Sequence, residues 1–300
     1  MFKSGFIVII GKPNVGKSTL INRIIGEKVA ITTHKPQTTR NRITGIKNIE
    51  DAQLIFVDTP GIHRAKTILN RYLVDTARDA FTDADLILLL VDAGKEPDDD
   101  DRFILESLRD MSLPVILVIN KIDLVKKESL LPLIESYRKH YSFREIIPLS
   151  ALKGFSIDRL IECAVGLLPE GPQYFHEDLF TDLSERFLAA EMIREKLTLL
   201  TQKEIPYSTA VMVDQFKEDE ARNLIHIQAT INVEKDSQKG ILIGRRGLML
   251  KEIGRRARLD METFFNAKIY LELYVRVRKN WTRDAKWLRE FGYGKENRSS

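Results

Sequence analysis

The stretch Gly11-Lys12-Pro13-Asn14-Val15-Gly16-Lys17-Ser18 decides how this chain is read. It follows the apolar run Phe6–Ile10 and precedes a helical pattern over Lys17–Ile25, so it stands at a strand-to-helix turn. Its glycines let backbone N–H groups curl round phosphate oxygens, and a helix N-terminus adds positive potential there. The Lys17 ammonium can reach the outer phosphates of a nucleotide, and the Ser18 hydroxyl can ligate Mg2+. A chance glycine-rich turn would rarely carry all four fixed positions in this context.

Working outward, apolar runs at Leu54–Val57, Leu86–Val91, Val115–Ile119 and Ile146–Leu149 read as strands buried on both faces. Helical patterns at Leu69–Thr82, Asp99–Arg109, Leu130–His140 and Ile157–Leu168 separate or follow them. This alternation predicts a doubly wound α/β domain with a mainly parallel sheet. The cluster Pro169-Glu170-Gly171-Pro172 marks its end. Beyond it the rhythm changes. A helix is expected from Asp182, with Glu185 as capping partner and Ala190, Ile193, Leu197 and Leu200 as its apolar stripe. Strict alternation follows at Ile225–Val233 and again at Ile269–Val277, with Tyr270 and Tyr274 on the wet face. Two helices around a glycine turn fill Gly240–Phe265, giving the order α, β, β, α, α, β of a small α+β domain.

The 300 residues suit two domains. A hydrophobic fraction of 43% and a charged fraction of 30% exclude a disordered chain. The lone Cys163 excludes an internal disulfide and a cysteine-based zinc site, and suits a reducing cytosol. No apolar run spans a bilayer, and the N-terminus lacks a signal-peptide layout. The net charge of +4 hides an asymmetry. Residues 1–170 hold 24 Lys/Arg against 23 Asp/Glu, residues 171–234 hold 6 against 12, and residues 235–300 hold 17 against 8. A basic block at one end points to an anionic partner, nucleic acid or membrane surface.

Four further segments carry chemistry. Asp58-Thr59-Pro60-Gly61 follows a strand, where a carboxylate can hold Mg2+ through water and the Gly61 N–H can meet a γ-phosphate. Gln37-Thr38-Thr39-Arg40 lies in a polar loop whose threonine can complete the Mg2+ shell, in the manner of a first switch segment. In Asn120-Lys121-Ile122-Asp123 the carboxylate can accept from guanine N1–H and the 2-amino group. Adenine would leave it unpaired. The Lys121 stem can cover the base, and Asn120 can brace the loop. Ser150-Ala151 follows the last strand, where the Ala151 N–H can meet guanine O6. In the second half, Gly244-Arg245-Arg246-Gly247 joins two helices. Two missing side chains let a sugar–phosphate backbone lie close, and the arginines neutralise it. Lys251 and Arg255, with Arg256 and Arg258, extend the basic surface. Ile241, Ile243, Leu248 and Ile253 line the groove or pack in the core.

The first ~170 residues resemble a Ras-like GTPase of the translation-factor superclass, its five motifs in order. The whole chain resembles the Era GTPase family, bacterial proteins with a C-terminal KH domain. The resemblance implies an α/β P-loop GTPase domain over 1–170, a linker over 171–183, a type II KH domain over 184–291 and a flexible tail over 292–300. It implies GTP/GDP as ligand and binding to the 3′ region of small-subunit (16S) ribosomal RNA. It further implies a role in rRNA processing and 30S assembly, as a cytoplasmic monomer with peripheral contact to the inner membrane face. The nucleotide set it implies runs from Gly11 through Thr19 and from Asp58 through Ile62, with Asn120, Lys121, Asp123, Ser150 and Ala151; Ser18, Thr39 and Asp58 hold Mg2+. Asn14 resembles the K+ ligand of potassium-dependent relatives. Ile62 stands where many relatives carry a water-orienting glutamine, which implies slow intrinsic turnover.

Three rivals compete with this reading. An ATPase or small-molecule kinase is opposed by Asp123. A silent nucleotide domain on an RNA-binding protein is opposed by Lys17, Ser18 and Asp58. For a GTPase that uses its basic end on lipid, the helical glycine turn favours RNA instead, and the two uses are compatible. His34, His63, His140, His176 and His226 show no ligand spacing, and Asp98–Asp101 reads as a solvated helix start. Asp123→Asn should weaken GTP and favour xanthosine triphosphate, whose 2-oxo group suits an amide donor. Calorimetric titration checks this, and equal affinity of the unaltered protein for ATP and GTP would refute the guanine assignment.

Overall fold

A computed structural model of the chain describes residues 1–61, 82–109 and 111–293. Ile62, His63 and nearly all of the helix expected over Leu69–Thr82 lie outside them, as does most of the expected tail. The described residues form two compact units, one ending at Asp182 and the other beginning at Leu183.

In the first unit a six-stranded sheet has the order β2-β3-β1-β4-β5-β6. Its strands are β1 (Lys3–Ile10), β2 (Ile43–Ile49), β3 (Ala52–Asp58), β4 (Leu86–Asp92), β5 (Val115–Asn120) and β6 (Glu145–Pro148). All neighbours are parallel except β2, which runs antiparallel to β3 at the edge. Four of the expected strands appear because their unbroken apolar runs are buried on both faces, Val8, Ile55, Leu88 and Val118 being inaccessible to solvent, and β6 follows as the half-buried edge. Strand β2, Ile43-Thr44-Gly45-Ile46-Lys47-Asn48-Ile49, has no such run and was not read as a strand. It forms because β3 offers it an unpaired edge. Register places Ile9 beside Asp58 and Asp92 beside Asn120. The strand ends therefore release their loops along one rim, where ligands of open parallel sheets bind.

Residues beyond the helix Ile157–Leu167 are tied down. The Ser4 hydroxyl donates to Pro172 O at 2.6 Å, and Ile46 N–H to Phe180 O at 2.8 Å. The buried Gln53 amide accepts from Tyr174 N–H (2.8 Å) and Phe175 N–H (3.0 Å) and donates to Phe175 O (2.8 Å). The Thr181 hydroxyl donates to Thr44 O at 2.6 Å. The segment expected as a linker is thus docked on β2 and β3 up to Thr181.

The second unit opens with the helix Glu185–Leu200, capped by Ser184, whose side chain accepts from Phe187 N–H. That corrects the expected start at Asp182. Its sheet has the order β7-β8-β9, with β7 (Thr209–Asp219) antiparallel and β9 (Lys268–Val277) parallel to β8 (Leu224–Val233). Ile225, Ile227, Ala229, Ile231 and Val233 face a core shared with Ile193, Leu197, Leu242, Ile253 and Ala257. Ile253 is therefore core, while Ile241 and Leu248 are exposed. Trp281, Leu288, Phe291 and Tyr293 pack around Ala210. Among the described residues no helix is long and apolar enough to cross a membrane.

Gln53→Ala should leave the Tyr174 and Phe175 N–H groups of the docked segment unpaired, at a cost of about 1–3 kcal/mol. Thermal unfolding should show a lowered midpoint, and limited proteolysis should show faster cleavage within 172–180. Unchanged values for both would mean the segment is held by other contacts.

Candidate functional site

Four loops meet at the rim of the first sheet. The loop after β1 takes backbone angles that its glycines permit: φ is +145° at Gly11 and +102° at Gly16. A Cβ on Gly11 would strike Leu90 O, and one on Gly16 would strike the Asn120 amide. A Cβ on Gly61 would sit 2.8 Å from Pro13. The loop is thus packed against β4, β5 and the segment after β3, and larger residues do not fit.

Lys17 opens the first helix and is 6% exposed. Its ammonium donates to Gly11 O and Lys12 O, both at 3.1 Å, which bridges the loop. Burial pulls its pKa down to about 8, with Asp58 opposing. Beside it, the Ser18 hydroxyl donates to Asp58 Oδ2 at 2.7 Å, the Thr39 hydroxyl reaches the same oxygen at 3.2 Å, and the two hydroxyls lie 2.9 Å apart. Asp58 is inaccessible to solvent. Burial raises its pKa against the pull of Lys17 and the two hydroxyls. Its Oδ1 is buried with no hydrogen-bond partner. Two hydroxyls and a carboxylate gathered at one point, with a carboxylate oxygen still unpaired, are the hard oxygen donors Mg2+ prefers. The Thr59 hydroxyl donates to Ile9 O at 2.8 Å and fixes the turn after β3.

The loop after β5 is locked by Asn120. Its amide donates to Val15 O at 2.8 Å and accepts from Lys121 N–H (2.8 Å) and Ala151 N–H (3.0 Å). Lys121, at φ +68°, donates to Asn14 O and pairs with Asp92, both at 2.7 Å. Burial pushes the Asp92 carboxyl up, but hydrogen bonds from Lys121 and Gly94 outweigh it and hold it low. Asp123 accepts from the Ser150 hydroxyl at 2.5 Å. Arg23 donates to Ala151 O and Leu152 O, tying the last loop to the first helix.

In the second unit the turn Gly244–Gly247 joins the helices Asp236–Ile243 and Leu248–Phe265. Gly244, Arg246 and Gly247 have φ of +71°, +51° and +79°. A Cβ on Gly244 would sit 2.7 Å from Met249 Cβ, whereas one on Gly247 would meet open space. Arg245, Arg246 and Lys251 are exposed, and among the described residues no carboxylate pairs with them. Arg255 differs: its guanidinium grips Glu252 through two bonds of 2.8 Å, and Arg256 shares that carboxylate.

Comparison with known proteins agrees with both halves. A family described as 50S ribosome-binding GTPases matches residues 6–121, and the KH domain family matches residues 204–282. The GTPase Era of Syntrophus aciditrophicus is 65% identical over 98% of this chain and 96% of its own. That of Geobacter metallireducens is 54% identical over 97% and 98%. A crystal structure of Era with MgGDPNP and nucleotides 1506–1542 of 16S ribosomal RNA is similar at TM-score 0.95 and 43% identity, covering 98% of this chain and 100% of that one. An Aquifex aeolicus Era variant bound to GDP and AlF4− is similar at TM-score 0.95 and 44% identity, with the same coverage. This chain belongs to the Era family. It is a GTPase with a P-loop GTPase domain followed by a KH domain.

Against that Era framework, the structure brings together the phosphate-loop, Asp58, Thr39, Asn120 and Ser150 segments that sequence reading singled out. The Ala151 N–H donates to Asn120 Oδ1. One expectation changes. Asp98–Asp101 is no merely solvated helix start, because Asp101 is 2% exposed and accepts from Lys12. Sequence reading missed Asp92 as the partner of Lys121 and Arg23 as the anchor of Ala151. Both are ordinary charged residues whose role only register and topology reveal.

Lys17 carries a pH prediction. Its folded pKa of about 8 lies below the 10.5 of an unfolded lysine. The unfolded state binds the proton more tightly, so the burial penalty is complete below pH 8 and fades as pH rises from about 8 toward 10.5. NMR titration of the nucleotide-free protein should find the Lys17 side-chain midpoint near 8. A midpoint at the ordinary lysine value would overturn the burial account.

Proposed function

We propose that this protein binds GTP and GDP at the rim of the first sheet and small-subunit ribosomal RNA, near its 3′ end, on the KH domain. On this reading it acts in rRNA processing and 30S subunit assembly. The observation that carries the reading is the convergence of the Ser18 and Thr39 hydroxyls on Oδ2 of Asp58, whose Oδ1 is buried without a hydrogen-bond partner. It occurs in a chain that matches, over almost its whole length, a relative solved with MgGDPNP and 16S RNA. Ser18, Thr39 and Asp58 would hold Mg2+, which when bound neutralises charge on the outer phosphates. Lys17 and the backbone from Gly11 to Thr19 would hold the phosphates, and Asp123 would read guanine under the Lys121 stem. Asn14, whose Nδ2 bonds His34 O, would offer its Oδ1 to K+.

The reading extends to a monomer working in the cytoplasm, divided as GTPase domain 1–170, docked linker 171–183 and KH domain 184–291. Peripheral contact with anionic membrane is part of it, supported by the basic block after residue 235. For RNA, the open space at Gly247 and the unpaired Arg245 and Arg246 support a phosphate backbone lying against the turn.

Changing Arg245 and Arg246 together to Asp should strongly weaken binding of a 16S 3′-end RNA. Each lost phosphate contact should flatten the log–log salt slope by roughly 0.7. GDP binding and the fold should persist, because both side chains are exposed. Charge reversal at Arg283 and Lys286 should affect anionic vesicles as much as RNA. Unchanged RNA affinity in the Arg245/Arg246 variant would remove the turn from the interface.

A further inference from the structure

Lys12 belongs to the expected nucleotide set, and its ammonium is held by two carboxylates. It donates to Asp98 Oδ2 at 2.7 Å and Asp101 Oδ2 at 2.6 Å, and its side chain is only 13% exposed. Burial opposes the charge on Lys12, but Asp101 and Asp98 outweigh it and raise its pKa. Both carboxylates are fixed independently of Lys12. Asp98 caps the helix Asp99–Leu108 and accepts from Asp100 N–H and Asp101 N–H at 3.0 and 3.1 Å. Asp101, itself 2% exposed, accepts from Asp98 N–H at 3.0 Å. Surface ion pairs contribute little, but here one partner is buried and both are pre-oriented, so losing the cation strands a buried charge.

The main chain of Lys12 faces a different task. Its carbonyl accepts from Lys17 Nζ. Two residues on, the Asn14 carbonyl accepts from Lys121 Nζ, and Asn14 itself has φ +64°. The phosphate loop is therefore pinned on both sides of Pro13. A left-handed residue persists only where its surroundings over-determine it.

We propose that Asp98 and Asp101 are positioning residues for nucleotide binding. By clamping the Lys12 ammonium they fix the first turn of the phosphate loop, and through the Lys12 carbonyl they fix the ammonium of Lys17. The inference rests on reading this loop as the nucleotide site, and its experiment separates the two. The full chain is loaded with N-methylanthraniloyl-GDP and Mg2+, and the dissociation rate is measured by chase with GDP. Retention of the probe by the unaltered protein tests the nucleotide reading; ratios among variants test the clamp.

Lys12→Met and Asp101→Asn should each speed dissociation about tenfold, and the double variant should be no faster than the faster single one, because both remove one coupled unit. Lys12→Arg keeps a cation between the two carboxylates and should stay within about twofold of the unaltered rate. Asp98→Asn, at the more exposed carboxylate, tests the same clamp if Asp101→Asn proves too unstable to purify. A purely structural role would lower the thermal midpoint without the non-additivity or the rescue by arginine. Unaltered rates in the single variants, multiplied effects in the double, or Lys12→Arg behaving as Lys12→Met would each overturn the clamp.

Discussion

A buried carboxylate with one satisfied oxygen and one unsatisfied oxygen sits at the centre of the first unit. Removing a carboxylate from water costs several kcal/mol unless partners replace the lost solvation. Asp58 receives two hydroxyls on Oδ2, the field of Lys17 and nothing on Oδ1. Each partner comes from a different stretch: Ser18 from the first helix, Thr39 from the loop before β2, Asp58 from the end of β3. They meet because β3 lies parallel to β1 in a register that sets Asp58 beside Ile9. The incomplete satisfaction of Asp58 is a standing demand for a cation. The sheet order is the constraint that lets one site meet that demand.

The same geometry explains why the loop after β1 is so restricted in residue type. Gly11 lies against Leu90 O and Gly16 against the Asn120 amide, so neither tolerates a side chain. Asn120 then uses both ends of its amide: its nitrogen donates to Val15 O, and its oxygen accepts from Lys121 N–H and Ala151 N–H. The segment suited to a base and the segment suited to phosphates thus form one hydrogen-bonded body. Lys121 repeats the link through Asn14 O. Such double bracing keeps left-handed residues at 14 and 121 in place without glycine, at the usual penalty of about 1 kcal/mol each. A loop held this way needs little reorganisation to receive a charged ligand.

Much of this was legible in the residues. Short apolar runs spaced between helical patterns read as buried strands of a parallel sheet, so five of the six strands of the first sheet were visible in the residues. The motif residues carried their chemistry in type and spacing. What stayed hidden depended on partners distant in sequence. Strand β2 has polar residues at Lys47 and Asn48 because only one strand pairs with it, its outer edge meeting the docked segment instead, and Gly45 lies close against Ile21 and Ile25. Strand β7 lacks clean alternation because a bulge between Val213 and Gln215 breaks the period. The docked segment 171–181 has the composition of a loose linker, and the buried amide of Gln53, far away in sequence, binds its central turn. Asp98–Asp101 looked solvated because a run of four acids usually is. Lys12, 86 residues earlier, makes the difference.

The two glycines of the KH turn are there for different reasons. Gly244 answers to the fold: Met249 leaves no room for a Cβ. Gly247 answers to no neighbour, since a Cβ there would meet nothing within 4 Å, and only its φ of +79° disfavours other residues. Between them Arg246 adopts φ +51°, a conformation that costs an arginine stability and forms no ion pair among the described residues in return. Strain that gains nothing for the fold is better explained by what it presents. Here it presents two exposed cations beside a stretch of backbone with no side chain above it, on the unit that carries the basic block. An extended sugar–phosphate chain needs that combination of close approach and charge. A neutral protein partner would have no use for the empty space over Gly247.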